Sequence, residues 1–280
     1  MLLFIIVGVL LCCLYFVMVV AFAVGITRIK TPLESGNNFL SISIIVAMRN
    51  EQDNIDNLLK SLTCQDYPTD KYEIVLVNDH STDKTWNIAN DWVKRACNVV
   101  LLNLSVGEEG KKHAVAYGVN SAKYDMVTLT DADCVHSKGW LQSISTQFQY
   151  SNFDLLIGPV MLAPSIRFIE KMQALEHASL TACSLGACAL RVPFMASSAN
   201  LSFSKSRLGF NVKMLNPNVV SGDDVFLLHN AKRKTNISIG CLFSSNSLVY
   251  TKPTNSISSF LQQRARWASK APGYSDFMAI

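Results

Sequence analysis

The sequence predicts an α/β fold, a mostly parallel sheet covered by helices on both faces, behind an N-terminal transmembrane helix. Three observations predict it. From Ser41 onward, short apolar runs rich in β-branched residues alternate with stretches of helical periodicity, the rhythm of a parallel sheet. Polar, acidic clusters follow several of those runs, at the strand ends where open α/β sheets bind ligands. Finally, Leu2 to Val24 contains no charged residue, a stretch longer than the roughly 20 residues needed to cross a bilayer. The boundaries that follow are a transmembrane helix over 1–25, a linker over 26–40, a folded domain over 41–270 with halves at 41–160 and 161–270, and a tail over 271–280.

Charged residues make up 16% of the 280, well below the roughly 25% of ordinary soluble domains. The mean hydropathy is +0.22, so part of this chain meets a membrane. A net charge of +4 with scattered Lys and Arg does not fit a nucleic-acid binder, though it suits anionic substrates or anionic lipid. The eight cysteines form no framework and no zinc-site spacing, so reduced thiols in the cytosol are expected. Cys134 with His136 resembles half a zinc site, but the sequence offers no second half.

Arg28 and Lys30 follow the first apolar stretch and no basic residue precedes it. The positive-inside tendency then leaves the rest of the chain cytoplasmic. A cleaved signal peptide is the competing reading, because Ala21-Phe22-Ala23 resembles a cleavage site; the missing basic start and the long apolar run oppose it.

Ser41 to Ala47 is the first expected strand, and Ile55, Leu58, Leu59 and Leu62 then recur at helical spacing. Glu73 to Val77 is the second strand and runs into Asn78-Asp79-His80. Thr85 to Lys94 is a helix, Val99 to Leu104 the third strand, and Lys111 to Ala122 a helix of small residues. Met126 to Thr130 is the fourth strand, followed by a helix through Leu141, Ile144 and Phe148 and a fifth strand from Leu155 to Val160.

The fourth strand runs into Asp131-Ala132-Asp133. In extended backbone, positions two apart point the same way, so both carboxylates can aim at one spot. Such a pair suits Mg2+ or Mn2+, which in turn holds a diphosphate; a surface turn is the plainer alternative. No Gly-x-Gly-x-x-Gly or P-loop is present. Asp79 can accept from a base N–H or a ribose hydroxyl. Lys111 in Gly110-Lys111-Lys112-His113 can place a cation near phosphate or simply be a solvated charge.

Taken in order, Val46-Ala47-Met48-Arg49-Asn50-Glu51, Val77-Asn78-Asp79-His80-Ser81-Thr82-Asp83, Gly110-Lys111-Lys112-His113-Ala114 and Thr130-Asp131-Ala132-Asp133 resemble the family-2 glycosyltransferases of GT-A fold. The resemblance runs from about Ser41 to Lys270. It implies a nucleotide-diphosphate sugar donor, commonly a UDP-sugar, held by the first half and an acceptor held by the second. It further implies donor binding by Ala47, Arg49, Glu51, Asp79, Lys111 and Asp131, with a divalent metal on Asp133 and Asp131.

In the second half, Ala178 to Leu190 is apolar but too short to span a bilayer. A helix lying at the membrane interface and an ordinary core helix both fit. Ser198-Ala199-Asn200-Leu201-Ser202-Phe203 resembles the family's Gly-Ala-Asn-Leu-Ala-Phe strand beside the donor sugar, with serine replacing the glycine and Asn200 placed toward the acceptor. Gly222-Asp223-Asp224 precedes what reads as an amphipathic helix start at Val225 to Leu228. One Asp there can be a helix cap. A carboxylate can also take the proton of an acceptor hydroxyl, and the family pattern assigns that role to Asp224, with Asp223 in support.

Gln263, Arg266 and Trp267 share one face of a last helix, about Ser256 to Lys270. A guanidinium suits diphosphate, and a Trp ring suits a sugar face or lipid; an exposed basic helix with a core Trp is the plainer alternative. The Gln-x-x-Arg-Trp pattern resembles that of membrane polysaccharide synthases and ceramide glucosyltransferases, which implies Arg266 on the donor and Gln263 and Trp267 on the acceptor. The leading expectation is a membrane-anchored inverting glycosyltransferase with its catalytic domain in the cytoplasm. A lipid or a saccharide is the expected acceptor. A processive polysaccharide synthase subunit and an inactive nucleotide-binding scaffold are the alternatives. Because relatives of this type continue into further membrane helices, a partner subunit or a longer C-terminus is also expected.

Overall fold

The computed structural model describes residues 1–30, 32, 38–217, 219, 221–270, 273, 274 and 276. Positions 31 and 33–37 of the expected linker over 26–40, and most of the tail over 271–280, therefore lie outside the described residues. Helix α1 (Leu2–Thr27) is the one described helix long and apolar enough to cross a membrane. The folded part then runs β1 (Ile42–Met48), α2 (Ile55–Thr63), β2 (Tyr72–Asn78), α3 (Thr85–Arg95), β3 (Val99–Asn103), α4 (Lys111–Ser121), β4 (Met126–Asp131), β5 (Val135–His136) and α5 (Trp140–Ser151). It continues through β6 (Leu155–Ile157), β7 (Val160–Leu162), α6 (Phe168–Ala189), β8 (Leu201–Ser204), α7 (Lys205–Leu208), α8 (Asp223–Lys232), β9 (Ile239–Cys241), β10 (Val249–Thr251) and α9 (Ile257–Ala268).

The main sheet has the order β3-β2-β1-β4-β8-β6-β9. β1, β2, β3 and β4 pair in parallel, as do β6 and β9, whereas β8 runs antiparallel to both its neighbours. Strand alternation explains the two layers. Ile42, Ile44, Val46 and Met48 of β1 pack with Leu58 and Leu62 of α2 and with Trp140 and Ile144 of α5. Ile45 faces the other way, with Val115 and Val119 of α4, Leu185 of α6 and Leu227 of α8. Gly118 lets α4 lie close on the sheet, since a Cβ there would meet Ile45 at 2.6 Å.

Several expectations change. The run expected as one strand from Leu155 to Val160 divides at Gly158-Pro159, and β7 joins a small second sheet of order β5-β10-β7. Pro159 cannot donate to a ladder, and a Cβ at Gly158 would strike the Asn200 side chain at 2.3 Å. β4 ends at Asp131 and Asp133 sits in the turn beyond it, so the pair is brought together by a turn rather than by strand alternation. Val225, Phe226, Leu227 and Leu228 of α8 are all buried, so that helix start is enclosed and not amphipathic. Between the two readings of the apolar stretch at Ala178 to Leu190, the core helix prevails where Ser184 to Cys188 are buried. The most exposed apolar side chains of α6 lie upstream, at Phe168, Met172 and Leu175, with Leu180 also exposed.

α1 crosses α6 at a pair of glycines. A Cβ on Gly25 would lie 2.4 Å from the Gly186 carbonyl oxygen, and one on Gly186 would lie 2.2 Å from the Phe22 carbonyl oxygen. Small residues permit such close helix approach. Gly186→Leu is expected to separate the two helices at a cost of roughly 1–3 kcal/mol, read as a lower melting temperature of the full chain in detergent. An unchanged melting temperature would remove the crossing from the account.

Candidate active site

A cavity of about 550 Å3 opens where β4 ends. Asp131, Asp133 and Lys111 line it from the first half of the domain, Ser198, Asp223 and Asp224 from the second, and Gln263, Arg266 and Trp267 from α9. The sequence placed these nine residues in separate motifs; folding brings them to one space.

Lys111 begins α4, next to Gly110, whose φ of +96° suits a residue without a side chain. Its ammonium donates to Asp131 Oδ1 at 2.7 Å and to Ser198 Oγ at 2.8 Å, and lies 3.6 Å from Asp223 Oδ2. Burial works against the Lys111 charge, but Asp131 and then Asp223 outweigh it and hold the ammonium above its ordinary range. Ser198 also donates to Asp131 Oδ1 at 3.3 Å. The serine that replaces the family's glycine thus joins the polar network, and its φ lies outside the left-handed region.

Asp133 Oδ2 accepts from Thr251 Oγ1 of β10 at 2.8 Å. Burial, and secondly the Asp131 charge, push its carboxyl up. Asp224 stands at the start of α8, where Gly222 takes the left-handed φ of +88° that turns the chain into the helix. Asp224 Oδ1 accepts from the Val225 N–H at 2.8 Å and Oδ2 from the Ser198 N–H at 3.4 Å. Burial and then Asp223 raise the Asp224 carboxyl, against the pull of Lys270 and Lys111. Asp223 Oδ2 is buried with no hydrogen-bond donor of its own, Lys111 being its nearest cation.

Ala47, Arg49, Glu51 and Asp79 form a neighbouring shelf rather than the cavity wall. Ala47 is paired in register with Asp131 and with Val77. Asp79 accepts from the Gly110 N–H at 3.1 Å, with the His80 ring at 3.2 Å and Arg49 at 3.5 Å. Glu51 is pushed up by burial, with Asp133 and Asp131 adding repulsion and Asn54 opposing it, so it belongs to the same acidic neighbourhood.

Asn200 is a correction. Its side chain is buried, accepts from Trp140 Nε1 at 3.0 Å and donates to the Pro159 and Ser247 carbonyls at 2.9 Å each. Both amide protons are used inside the domain, so Asn200 ties β8 to the segments around it and does not face an acceptor. His136 is likewise no half of a zinc site: its ring meets Thr130 Oγ1 at 2.8 Å and Ser61 Oγ at 3.3 Å, and burial drives its pKa down to about 3.

Sequence reasoning missed Thr251, Arg264, His177 and Lys270. Arg264 pairs with Glu176 of α6 and lies over the Trp267 and Phe260 rings at 4.1 and 4.5 Å. Its Nη1 also donates to Gln263 Oε1 at 2.9 Å. It thereby ties Gln263 and Trp267 to α6. His177 lines the cavity, is kept toward neutral by burial and then by Arg264, and leaves Nδ1 without a hydrogen bond. Arg264 was legible as a stacking partner three residues before Trp267; Thr251 carried no signal.

The donor set fits a hard divalent cation. Among the described residues no group of three or more His, Cys, Asp or Glu side chains forms a metal cage. Mg2+ and Mn2+ do not need one, because one or two carboxylates with water and phosphate oxygens suffice. A cation beside Asp133 relieves the repulsion that raises its carboxyl, whereas Asp131 already has the Lys111 ammonium. Asp133 is the better primary ligand.

The profile of glycosyl transferase family 2 matches residues 43–185. A poly-beta-1,6-N-acetyl-D-glucosamine synthase of Staphylococcus aureus is 29% identical over 160 residues, covering 55% of this chain and 37% of that protein. Glycosyltransferase AglE of Haloferax volcanii is 29% identical over 119 residues, covering 42% of this chain and 39% of that protein. This chain thus spans well under half the length of these curated relatives. Among solved structures, the mannosyltransferase PcManGT from Pyrobaculum calidifontis, in complex with GDP-Man and Mn2+, superposes with a TM-score of 0.66 at 17% identity, covering 96% of this chain and 76% of that one. Residues 1–349 of S. aureus TarS in complex with UDP-GlcNAc give a TM-score of 0.56 at 19% identity, covering 78% and 60%. The fold is that of the GT-A glycosyltransferases.

Proposed function

The chain belongs to glycosyl transferase family 2, and from that premise we propose that it moves a sugar from a UDP-sugar to an acceptor held at a membrane surface, inverting the anomeric carbon. The observation that carries this reading is the meeting of two sets of carboxylates in one cavity, Asp131 and Asp133 beside Lys111, and Asp224 on α8. The first set suits a nucleotide diphosphate; the second suits a proton.

In this reading Asp79, Arg49 and Glu51 hold the nucleotide on the shelf, and Lys111 and Arg266 face the diphosphate. Asp133, with Asp131, holds a divalent ion, which when bound neutralises charge on the departing diphosphate. Asp224 accepts the proton of the acceptor hydroxyl as that oxygen attacks, and its raised carboxyl makes it a stronger base than an ordinary aspartate. Asp223 keeps Lys111 in place. Gln263, Trp267 and His177 border the acceptor, the ring of Trp267 offering a face to a sugar.

Membrane anchoring by α1, with the domain in the cytoplasm, is supported by the charge-free helix and by the basic residues after it. The exposed Phe168, Met172 and Leu175 of α6 and Ile257 and Leu261 of α9 support an acceptor with a lipid part, since both helices also line the cavity. The synthase relative favours a growing polysaccharide as the second reading. Membranes bearing the chain are expected to release UDP from a UDP-sugar with Mg2+ or Mn2+ and to stop with a chelator. UDP-N-acetylglucosamine is the first donor to try and GDP-mannose the contrasting one. A labelled donor then sizes the product: one added sugar supports the lipid reading, a ladder supports the polymer. No release with any donor in the panel would refute the proposed activity.

A further inference from the structure

A second cavity, of about 670 Å3, lies at the foot of α1 and shares no lining residue with the first. Four cations line it: Arg28 and Lys30 just after α1, Arg191 just after α6, and Lys232 at the end of α8. Among the described residues no carboxylate lines it. Lys232 is paired with Asp276, but among the described residues Arg28, Lys30 and Arg191 have no ion-pair partner. Three exposed like charges around one hollow repel one another and call for an anion.

The backbone fixes where Arg191 stands. Arg191 has φ +65°, a left-handed conformation that a residue with a Cβ adopts at a cost. That conformation closes α6 in the usual way, with the Val192 N–H donating to the Ala187 carbonyl at 2.9 Å. The Arg191 N–H donates to the Cys188 carbonyl at 2.9 Å, which holds it at the close of α6.

The position of the cavity identifies the anion. α1 carries no charge through Thr27, and Phe22 and Gly25 near its end are packed against α6 and Phe194. Arg28, Lys30 and Arg191 therefore stand together just past the hydrocarbon layer, at the depth of lipid phosphates. Tyr150, 61% exposed, lines the same hollow, and tyrosine favours that depth. Guanidinium forks match phosphate oxygens, and basic residues beside a span attract anionic lipid.

We infer that this cavity binds the headgroup of an anionic phospholipid from the leaflet in which α1 ends. The inference rests on the proposed membrane anchoring. A bound headgroup would join the ends of α1, α6 and α8. Since α6 and α8 also line the first cavity, it would hold the candidate catalytic groups at a set distance from the membrane.

The test uses the full chain in nanodiscs of phosphatidylcholine, with and without phosphatidylglycerol, reading melting temperature and lipid retained in native mass spectra. Phosphatidylglycerol is expected to raise the wild-type melting temperature by about 5 °C and to be retained. The triple variant Arg28→Gln, Lys30→Gln, Arg191→Gln should lose both effects while melting like wild type in phosphatidylcholine. Arg191→Gly, whose backbone suits the positive φ, should weaken retention without any loss of fold. Lys84→Gln with Arg95→Gln, beside α3 at the opposite edge of the sheet, should keep both effects. Equal shifts for the triple and the α3 variants, or no shift in wild type, would overturn the site. Equal protection by inorganic phosphate added to phosphatidylcholine discs would overturn the lipid as its source. Failure to enter phosphatidylcholine discs at all would instead strike at the anchoring itself.

Discussion

Asp224→Asn is expected to cut turnover by roughly 10²–10⁴-fold, the range supplied by a general base. The amide keeps the shape of the side chain and can still accept from the Val225 N–H, losing only the long 3.4 Å bond from the Ser198 N–H. Its effect on stability has a definite sign. The Asp224 carboxyl is raised in the folded chain by burial and by Asp223, so the folded state binds its proton more tightly than the unfolded state does. Stability from this group is present below the unfolded value of about 3.8 and is lost as pH rises through the raised folded value. Asp224→Asn should therefore melt no lower than wild type at neutral pH. The same raised carboxyl sets the acid limb of the rate: kcat/KM should fall, as pH is lowered, above the ordinary aspartate range. A limb at the ordinary value, or full turnover by the variant, would remove Asp224 from the proton chemistry.

Asp133→Asn is expected to lower activity by roughly 10³-fold or more, equivalent to losing several kcal/mol of charge stabilisation at the leaving group. The physical reason differs from that for Asp224. Asp133 is the carboxylate of its pair not neutralised by Lys111, and its charge is raised in energy by burial and by Asp131. It has most to gain from a cation. Much of the loss should appear as weaker donor binding, and extra Mn2+ should recover little of it. An Asp133→Asn protein with unchanged metal requirement would leave the ion without a holder.

The donor side of this site was largely legible, because parallel strands announce themselves. β1, β2 and β4 are mostly apolar or β-branched runs buried over nearly their whole length, and the polar residues after them fall at one edge. The second half was harder to read. β6, β7, β9 and β10 are three residues each, too short for alternation to register. The turn of Val225 to Leu228 is buried on every side, so its periodicity carries no direction. Asn200 was misplaced for a related reason. A polar residue beside a motif looks functional until the structure shows Trp140 and two carbonyls using its amide. Thr251 lies 118 residues from the carboxylate it supports, a distance no local pattern spans.

The central claim is a division of labour within one cavity: Asp131 and Asp133 hold the donor, Asp224 moves the proton. Calorimetric titration of the UDP-sugar with Mn2+ into three proteins, wild type, Asp133→Asn and Asp224→Asn, tests it most directly. The account predicts that Asp224→Asn binds the donor like wild type although it does not turn it over, and that Asp133→Asn loses most of the affinity. Loss of donor affinity in Asp224→Asn, with Asp133→Asn binding normally, would contradict it.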